Sequence, residues 1–504
     1  MTDELDYRSA AGRWVIVAAV LGSGMAAVDS TVVGIALPSI GRDFGAPLAT
    51  LQWVVTGYLL ALATFLLLGG ALGDRFGRAR VFSVGVAWFA VASALCAVAP
   101  GAGWLVAARV AQGMGAALLT PASLAILQAS FRAEDRPRAI GAWSGLGGLA
   151  TAAGPLIGGY LISVGSWRWV FLINLPLAAA VLVITRRHVP ETRDPRASGR
   201  IDLPGAVLAA VALTGATSAL IEGPSQGWTS ALVVAGLVAA VGGLTAFLVV
   251  EARARRPMLP LDLFRVRQFS AANGVTFVIY GALGGALFLL PVERQVVAGY
   301  TPLESGLTLL PVTVIMLVFS ARSGRLSARI GPRLQMSVCP VVVGAGLVLL
   351  SSLTPGGSYA TGVLPAMCVL GAGLAITVAP LTSTAMGAAP TERAGIASAV
   401  NNVVARTAGL LAVAVLPFLA GITGESYLDP TDLARGFRTA MLISAALCVA
   451  GGVLAVLTIR NPSPAAPVPD LDELIGEDAC RHCALDATPL TVALTTAGHG
   501  EAST

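Results

Sequence analysis

Fourteen apolar stretches, each long enough to cross a lipid bilayer, constrain this chain more than any other feature. A membrane-spanning helix needs roughly 20 mostly apolar residues. The first stretch is too long for the core of a cleavable signal peptide, so we interpret it as a retained helix. We predict spanning helices near 14–38, 51–71, 79–99, 104–128, 139–162, 168–187, 202–221, 229–250, 269–292, 303–322, 333–353, 360–387, 394–421 and 437–459.

The composition agrees with a lipid-embedded chain. Only 12% of the residues are charged and 56% are hydrophobic, whereas a soluble domain carries about 25% charged residues. Too few polar side chains remain to cover a water-exposed surface, so we expect an all-α integral membrane protein. No basic run is interleaved with aromatic residues, which argues against nucleic-acid binding. No phosphate-binding loop of the ATPase type occurs, so the energy for any transport must come from an ion gradient. We expect no enzyme activity, no cofactor and no bound metal.

The basic residues test the number of helices. All 32 basic residues are arginines, which we attribute to the base composition of a high-GC bacterial genome. If the N-terminus is cytosolic and the sides alternate, 25 arginines fall in cytosolic segments, five in outer loops and two within spans. This asymmetry follows the positive-inside rule and places both termini in the cytosol.

An internal duplication organises the spans. Three landmarks recur in order at offsets of 253 to 255 residues, which indicates two parallel halves around helices 7 and 8. We therefore predict a six-helix bundle at 1–187, a linker with two inserted helices at 188–268, a second bundle at 269–459 and a disordered cytosolic tail at 460–504. The paired landmarks are Leu37-Pro38 with Leu290-Pro291, the loop at Gly70 with that at Gly324, and Arg138 and Gly154 with Arg393 and Gly409.

The loop after helix 2 reads GALGDRFGRAR from residue 70 to residue 80. Its glycines permit a tight turn, and we expect Asp74 to accept hydrogen bonds from a helix N-terminus. The segment resembles the signature loop of the major facilitator superfamily, and the resemblance implies a latch between the two halves on the cytosolic side. The residues that carry the latch are Gly70, Asp74, Arg75, Gly77 and Arg78.

Four further segments extend the resemblance. Helix 1 carries VDSTVVGIALP, helix 4 carries RVAQGMGAALLTP, helix 5 carries AGPLIGG and helix 6 begins WRWVFLINLP. Together they resemble the fourteen-helix drug:proton antiporter family, over the chain up to about residue 460. The resemblance implies a kink in helix 5 that favours exchange over leak, although a plain packing face stays open as an alternative. The kink residues are Gly154, Pro155, Gly158 and Gly159.

One carboxylate lies well inside a span. Asp29 of helix 1 and Arg109 of helix 4 have similar depths, so we expect them to pair. Charges inside a membrane are costly and usually functional. Separation of the pair would favour protonation of the acid, and reapproach would expel the proton, as the resemblance also implies. A static structural salt bridge remains the alternative.

Other polar residues are secondary candidates. Glu222 and Glu293 lie near the outer ends of helices 7 and 9, where ordinary loop-edge charges are the simpler interpretation. Arg406 in helix 13 has no acidic partner by pattern; backbone carbonyls, Asn401 or Asn402, or an anionic substrate group are all open. Aromatic side chains that can line a cavity, or merely pack, are Trp53, Tyr58, Trp143 and Tyr280.

These observations favour proton-coupled export of lipophilic, in some cases cationic, drugs or antibiotics. Export of an endogenous metabolite or lipid is one alternative, and an uncoupled facilitator or receptor on a transporter scaffold is another. We expect a monomer in the bacterial plasma membrane, with small-molecule substrate, protons and lipid as its partners. The tail contains Cys480, His482 and Cys483, a weak indication of zinc binding.

Overall fold

The structure is a computed structural model that describes residues 5–193, 202–254, 257, 259–354, 356–390 and 393–461. Within these ranges, 14 helices are long and apolar enough to cross a membrane, by length and composition. The predicted number of helices and the all-α fold class are therefore confirmed.

The helices are labelled α1 to α14 in chain order. Helix α6 has two segments, α10 has two segments, and α12 begins with a π-helical turn. Their bounds are α1 Ala10–Phe44, α2 Leu48–Phe76, α3 Arg78–Ala97, α4 Ala102–Ser130, α5 Arg136–Val164, α6 Trp169–Leu172 and Asn174–His188, α7 Leu203–Gln226, α8 Ala231–Arg253, α9 Arg267–Val296, α10 Pro302–Leu307 and Leu310–Ile330, α11 Pro332–Ser351, α12 Tyr359–Val363 and Leu364–Gly387, α13 Ala394–Leu419, and α14 Pro430–Thr458.

Two glycines at equivalent places break long apolar runs into separate helices. Gly77 between α2 and α3 has φ 113°, and Gly331 between α10 and α11 has φ 80°. Residues that carry a side chain rarely adopt a positive φ, so glycine permits the sharp reversal of the chain at both places. These two residues also match in the predicted duplication, which explains why both copies keep glycine there.

The helices pack in two groups with a pair beside them. Helices α1 to α6 contact mainly one another, α9 to α14 do the same, and α7 packs chiefly on α8. Helix α7 also touches α2 and α13. Such packing is what two six-helix halves with an inserted pair would produce. The domain boundaries themselves stay a prediction.

Each group has one end at which its first helix begins and its last helix finishes, which we call the terminal face. Leu5 hydrogen-bonds through its backbone to Ser130 at the end of α4, and Trp14 stacks on His188 at the end of α6. In the second group, Gln268 at the start of α9 hydrogen-bonds with Arg460 after α14. We call the opposite end the distal face.

The two groups are joined near the distal face. Between described residues, the hydrogen bonds that cross from one group to the other run from Gln52 to Val413 and Ala414, from Gln295 to Ile35, from Leu48 to Gly424 and from Tyr427 to Ala46. One apolar cluster runs continuously through both groups there. The terminal half of α1 to α6 instead has its own cluster. The halves therefore meet distally and are separate towards the terminal face.

Candidate functional site

The structure brings Asp29 and Arg109 together at the centre of the first group. The Asp29 Oδ2 atom lies 2.5 Å from Nη1 of Arg109, and each residue is only 1% exposed. The pair joins α1 to α4 at the depth expected from the sequence. Because such charges are expensive to bury, each must be well satisfied by its surroundings.

Three neutral side chains complete the surroundings of the acid. Asp29 Oδ1 accepts hydrogen bonds from Gln112 at 2.8 Å and from Asn174 at 3.1 Å. Both amides also donate to the Ser93 hydroxyl, at 2.7 Å and 3.2 Å. The acid of α1 is thus connected to α3, α4 and α6. These three residues were not predicted as partners of Asp29, although Gln112 and Asn174 lie within the helix 4 and helix 6 segments that carry the resemblance.

Arg109 is held by more than its carboxylate. Its Nε donates to the Val54 carbonyl at 3.1 Å, and its guanidinium lies 4.2 Å from the ring centroid of Tyr58. A desolvated cation over an aromatic face is favourable by about 2 kcal/mol. Tyr58 also lines a cavity, so the ring that covers the Arg109 guanidinium belongs to the cavity wall as well.

The cavity lies at mid-height between the two groups and has a volume of about 340 Å³. Tyr58 and Trp143 line it, one of the two roles that the sequence left open for them. Trp53 instead donates to Glu222 at 3.0 Å. The cavity is lined by Ser23, Ala26, Ala27, Ser30, Tyr58, Leu62, Thr120, Trp143, Ser144, Gly147, Thr151 and Arg406.

The signature loop is bound within the first group in this conformation. Asp74 Oδ1 accepts from Arg78 at 2.8 Å, and Arg78 also donates to the Ala125 carbonyl of α4. Gly77 supplies the reversal described above, Gly70 lies in the last turns of α2, and Arg75 lies over the Phe76 ring. The predicted contact of Asp74 with a helix N-terminus is not formed among the described residues. Its latch role stays a prediction.

Glu191 occupies the helix N-terminus nearest the signature loop. Its carboxylate accepts from the backbone of Ala79 and of Arg80, both at 3.1 Å, at the start of α3. A carboxylate is favourable there because it satisfies otherwise unpaired N–H groups. Glu191 follows α6, about 110 residues away in sequence. A close contact across that separation leaves no local pattern, and sequence reasoning missed it.

The glycines among the predicted kink residues of α5 let this helix pack closely against α1 and against the second group. A Cβ at Gly158 would lie 2.5 Å from Val32 of α1, and one at Gly154 would collide with Thr31. On another side, a Cβ at Gly159 would lie 2.6 Å from the Pro302 carbonyl of α10. The Pro155 carbonyl in turn contacts Gly306 of α10. Helix α5 therefore touches α1 one turn beyond Asp29 and also touches the second group.

The secondary acidic candidates differ in their surroundings. Glu222 is half-buried and accepts from Trp53 and Gln226. Glu293 is buried against its neighbour Arg294, at 2.5 Å, and they are 2% and 1% exposed. The predicted helix 9 ends at residue 292, which put Arg294 in an outer loop, and that placement was wrong. Helix α9 continues past its apolar stretch to Val296, and both charges are covered.

Within the described residues, no cluster of His, Cys, Asp and Glu has an arrangement that would hold a metal ion. Cys480, His482 and Cys483, and the tail to residue 504, lie outside the described residues.

Comparisons with known proteins agree with a membrane transporter of this fold. The family described as Major Facilitator Superfamily matches residues 19–413. The chain is 37% identical to the "Tetracenomycin C resistance and export protein" of Streptomyces glaucescens, over 82% of this chain and 77% of that one. It is 35% identical to the "Multidrug resistance protein Stp" of Mycobacterium tuberculosis (strain CDC 1551 / Oshkosh), with the same coverage. It is also 35% identical to the "Methylenomycin A resistance protein" of Bacillus subtilis (strain 168), over 83% and 90%.

Solved structures share the fold. A bacterial homologue of the human lysosomal transporter Spinster, inward-facing and unoccupied, aligns with a TM-score of 0.63 at 17% identity, over 91% of this chain and 100% of that one. A D-xylose-proton symporter aligns with a TM-score of 0.62 at 15% identity, over 89% and 98%. The match over most of the chain, the relatives above 30% identity and the shared fold show that this chain belongs to the Major Facilitator Superfamily and is a membrane transporter, not an enzyme.

Proposed function

We propose that this protein is a proton-coupled antiporter that exports lipophilic drugs or antibiotics from the cytoplasm. Three of the relatives are named for resistance, and one of these three is also named for export. Those names concern the relatives. Their sequence similarity over about four-fifths of this chain supports the same class of cargo here.

The observation that carries the proposal is the sealed Asp29–Arg109 pair beside the central cavity. An ionised carboxylate in this environment depends on the arginine, because isolated buried charges are strongly disfavoured. If Arg109 moves away, uptake of a proton removes the unpaired negative charge. If Arg109 returns, the carboxylate is favoured again and the proton leaves. The pair can thus alternate between two protonation states as its geometry changes.

The packing of α5 offers a way to connect that geometry to transport. Rocking of α9 to α14 would move α5 through its contacts at Gly159 and Pro155. Helix α5 lies directly on α1 through Gly154 and Gly158, one turn from Asp29. Close-packed interfaces transmit displacement because they cannot be compressed. Rocking of the two halves between the inward-open and outward-open states would therefore shift Asp29 relative to Arg109.

The separation of the two groups towards the terminal face corresponds to an inward-open state if that face is cytosolic, as the arginine distribution predicts. The signature loop lies at this face, so its engagement with the second group would belong to the opposite state. We further propose that the protein is a monomer of the bacterial plasma membrane with both termini in the cytosol.

Everted membrane vesicles test the proposal. An inward-acid gradient is set up by respiration, and candidate drugs are added while a fluorescent dye reports the gradient. Antiport predicts that a transported drug dissipates the gradient in vesicles with the wild-type chain but not with Asp29→Asn.

A carboxylate on the same helix serves as the matched control. Asp43 also pairs with an arginine, Arg168 at 2.8 Å, but it lies near the distal end and is 43% exposed. Asp43→Asn should respond like the wild type. Drug-dependent dissipation that persists in Asp29→Asn would rule out the role of Asp29. A static salt bridge predicts that transport in Asp29→Asn falls only as far as protein abundance falls.

A further inference from the structure

Arg406 is a cation near the middle of a membrane-spanning helix. Its span is Gly395–Leu419, so at 1.5 Å per residue Arg406 lies about 16 to 20 Å from either end. A charge at such depth is expensive and is rarely present without a function. Its guanidinium therefore needs a counter-charge or a polar partner.

No partner for Arg406 occurs among the described residues, by hydrogen bond or by ion pair. The two amides considered from the sequence are used elsewhere. Asn401 donates to Asn273 and to Thr276, and the exposed Asn402 donates to its own helix at Ser398. Arg109, the other arginine placed within a span from the sequence, is neutralised by Asp29. Arg406 is thus the unpaired member of these two.

The exposed part of Arg406 faces the central cavity. It is the one lining residue that α13 contributes, and the others come from α1, α2, α4 and α5. It lies within electrostatic range of Tyr58 and Tyr280. Asp29 is buried and is paired with Arg109, whose guanidinium lies over the Tyr58 ring. Among the residues that the structure describes, none that lines this cavity is Asp or Glu, so this part of the wall carries a positive charge.

Most cavity hydroxyls do not offset this charge. Those of Ser23, Ser30, Thr120 and Thr151 donate to carbonyls of their own helices. Their oxygens remain weak acceptors, whereas a carboxylate would bind guanidinium by charge-assisted hydrogen bonds. The rest of the wall includes the aromatic side chains of Trp143 and Tyr58.

We propose that the cavity binds organic anions, with an acidic group of the substrate against Arg406 and a flat apolar body against Trp143 and Tyr58. This inference rests on the proposed transport function and narrows its substrate class to acidic aromatic compounds. It replaces the cationic cargo considered from the sequence. A cation in the same place would face Arg406 without a compensating carboxylate on the wall.

A binding experiment with matched probes tests this inference. The protein is placed in nanodiscs of phosphatidylcholine, and retention of naphthoate, naphthamide and naphthylmethylammonium is measured by equilibrium dialysis against empty nanodiscs. The three probes share one ring system and differ in charge. Because a hydrogen bond to a charged group contributes about 1.5–3 kcal/mol, naphthoate should bind at least about tenfold more tightly than naphthamide.

Variants assign that preference to one side chain. Arg406→Gln should reduce the preference to about twofold or less, and Arg406→Lys should keep much of it, since both replacements are unbranched polar side chains but only lysine retains the positive charge. Arg322→Gln is the matched control, because Arg322 is exposed and donates only to its own helix at Val318. Each variant must elute from gel filtration like the wild type.

Several results would overturn the inference. These are equal retention of acid and amide, tighter binding of the ammonium probe, no retention of naphthoate above empty nanodiscs, or a preference that survives Arg406→Gln. Anionic lipid offers the same chemistry as a small acid, so a parallel arm adds phosphatidylglycerol to the discs. Loss of naphthoate binding in that arm would assign the site to lipid headgroups. The assay needs no proton gradient, so failure of antiport and failure of anion binding are distinguishable.

Discussion

Replacing Asp29 with asparagine should destabilise the protein far more than replacing Asp43. Asparagine keeps the shape of the side chain but removes its charge, so Arg109 would stay buried without a counter-ion. Breaking a buried pair in this way costs about 3–5 kcal/mol. In either orientation the amide would present N–H groups towards a donor, since Arg109 donates to one oxygen of the acid and Gln112 and Asn174 donate to the other.

Other contacts of Arg109 place the expected decrease in the free energy of unfolding at the lower end of that range. Arg109 would retain the Val54 carbonyl and the Tyr58 ring, and the ring interaction is favourable by about 2 kcal/mol. We therefore expect about 3 kcal/mol for Asp29→Asn. Asp43→Asn should cost no more than about 1 kcal/mol, because its pair with Arg168 is partly exposed.

The double variant Asp29→Asn/Arg109→Gln sharpens the test. Removing both charges eliminates the uncompensated cation, and a neutral replacement of a buried pair is often tolerated. The double variant should thus be more stable than Asp29→Asn alone. Unfolding in mixed micelles of dodecylmaltoside and sodium dodecyl sulfate, followed by circular dichroism, provides the comparison. If Asp29→Asn matches Asp43→Asn, or if the double variant is no better than the single one, the argument from buried charge is refuted.

Four further predictions use other parts of the structure. Gly158→Leu should abolish transport because the larger side chain would force α5 away from α1. Gly148→Ala should transport normally, because a Cβ added there meets nothing within 4 Å. Drug efflux from cells measures both variants. Glu191→Gln should lower stability by about 0.5–2 kcal/mol through the weakened cap on α3, measured by the same unfolding assay. Burial raises the pKa of Tyr427, so its hydroxyl stays protonated. Tyr427→Phe removes the hydrogen bond by which this hydroxyl joins the two groups, which is worth about 1 kcal/mol. The variant should therefore show a larger outward-open population in spin-label distance measurements. If one organic anion leaves for each proton that enters, two charges cross the membrane in each cycle. A membrane potential of 100 mV, interior negative, should then favour export by about 4.6 kcal/mol. A transport rate that does not change with an imposed potential would contradict this prediction.

The helices and the central ion pair were predictable because their signals are local. Twenty-residue apolar stretches identify spans without tertiary information, and a charge inside such a stretch stands out. Counting from the helix ends then gave similar depths for Asp29 and Arg109. Their contact followed from depth alone, since each charge had few available partners.

Residues that depend on helix rotation or on distant packing were not predictable in this way. Ser93, Gln112 and Asn174 are neutral, and many such residues occur in spans without meeting one another. Glu191 lies in a loop, and only the packing of α6 beside α3 brings it to a helix end. Arg294 was misplaced because the apolar pattern stops before the helix does.

Proton movement during substrate exchange tests the central claim most directly. In proteoliposomes, an outward gradient of the compound to which expression confers the greatest resistance would drive exchange while an internal dye reports pH. The wild-type chain should move protons with the substrate, and Asp29→Asn should exchange substrate without moving protons. Equal proton movement in both would contradict the account.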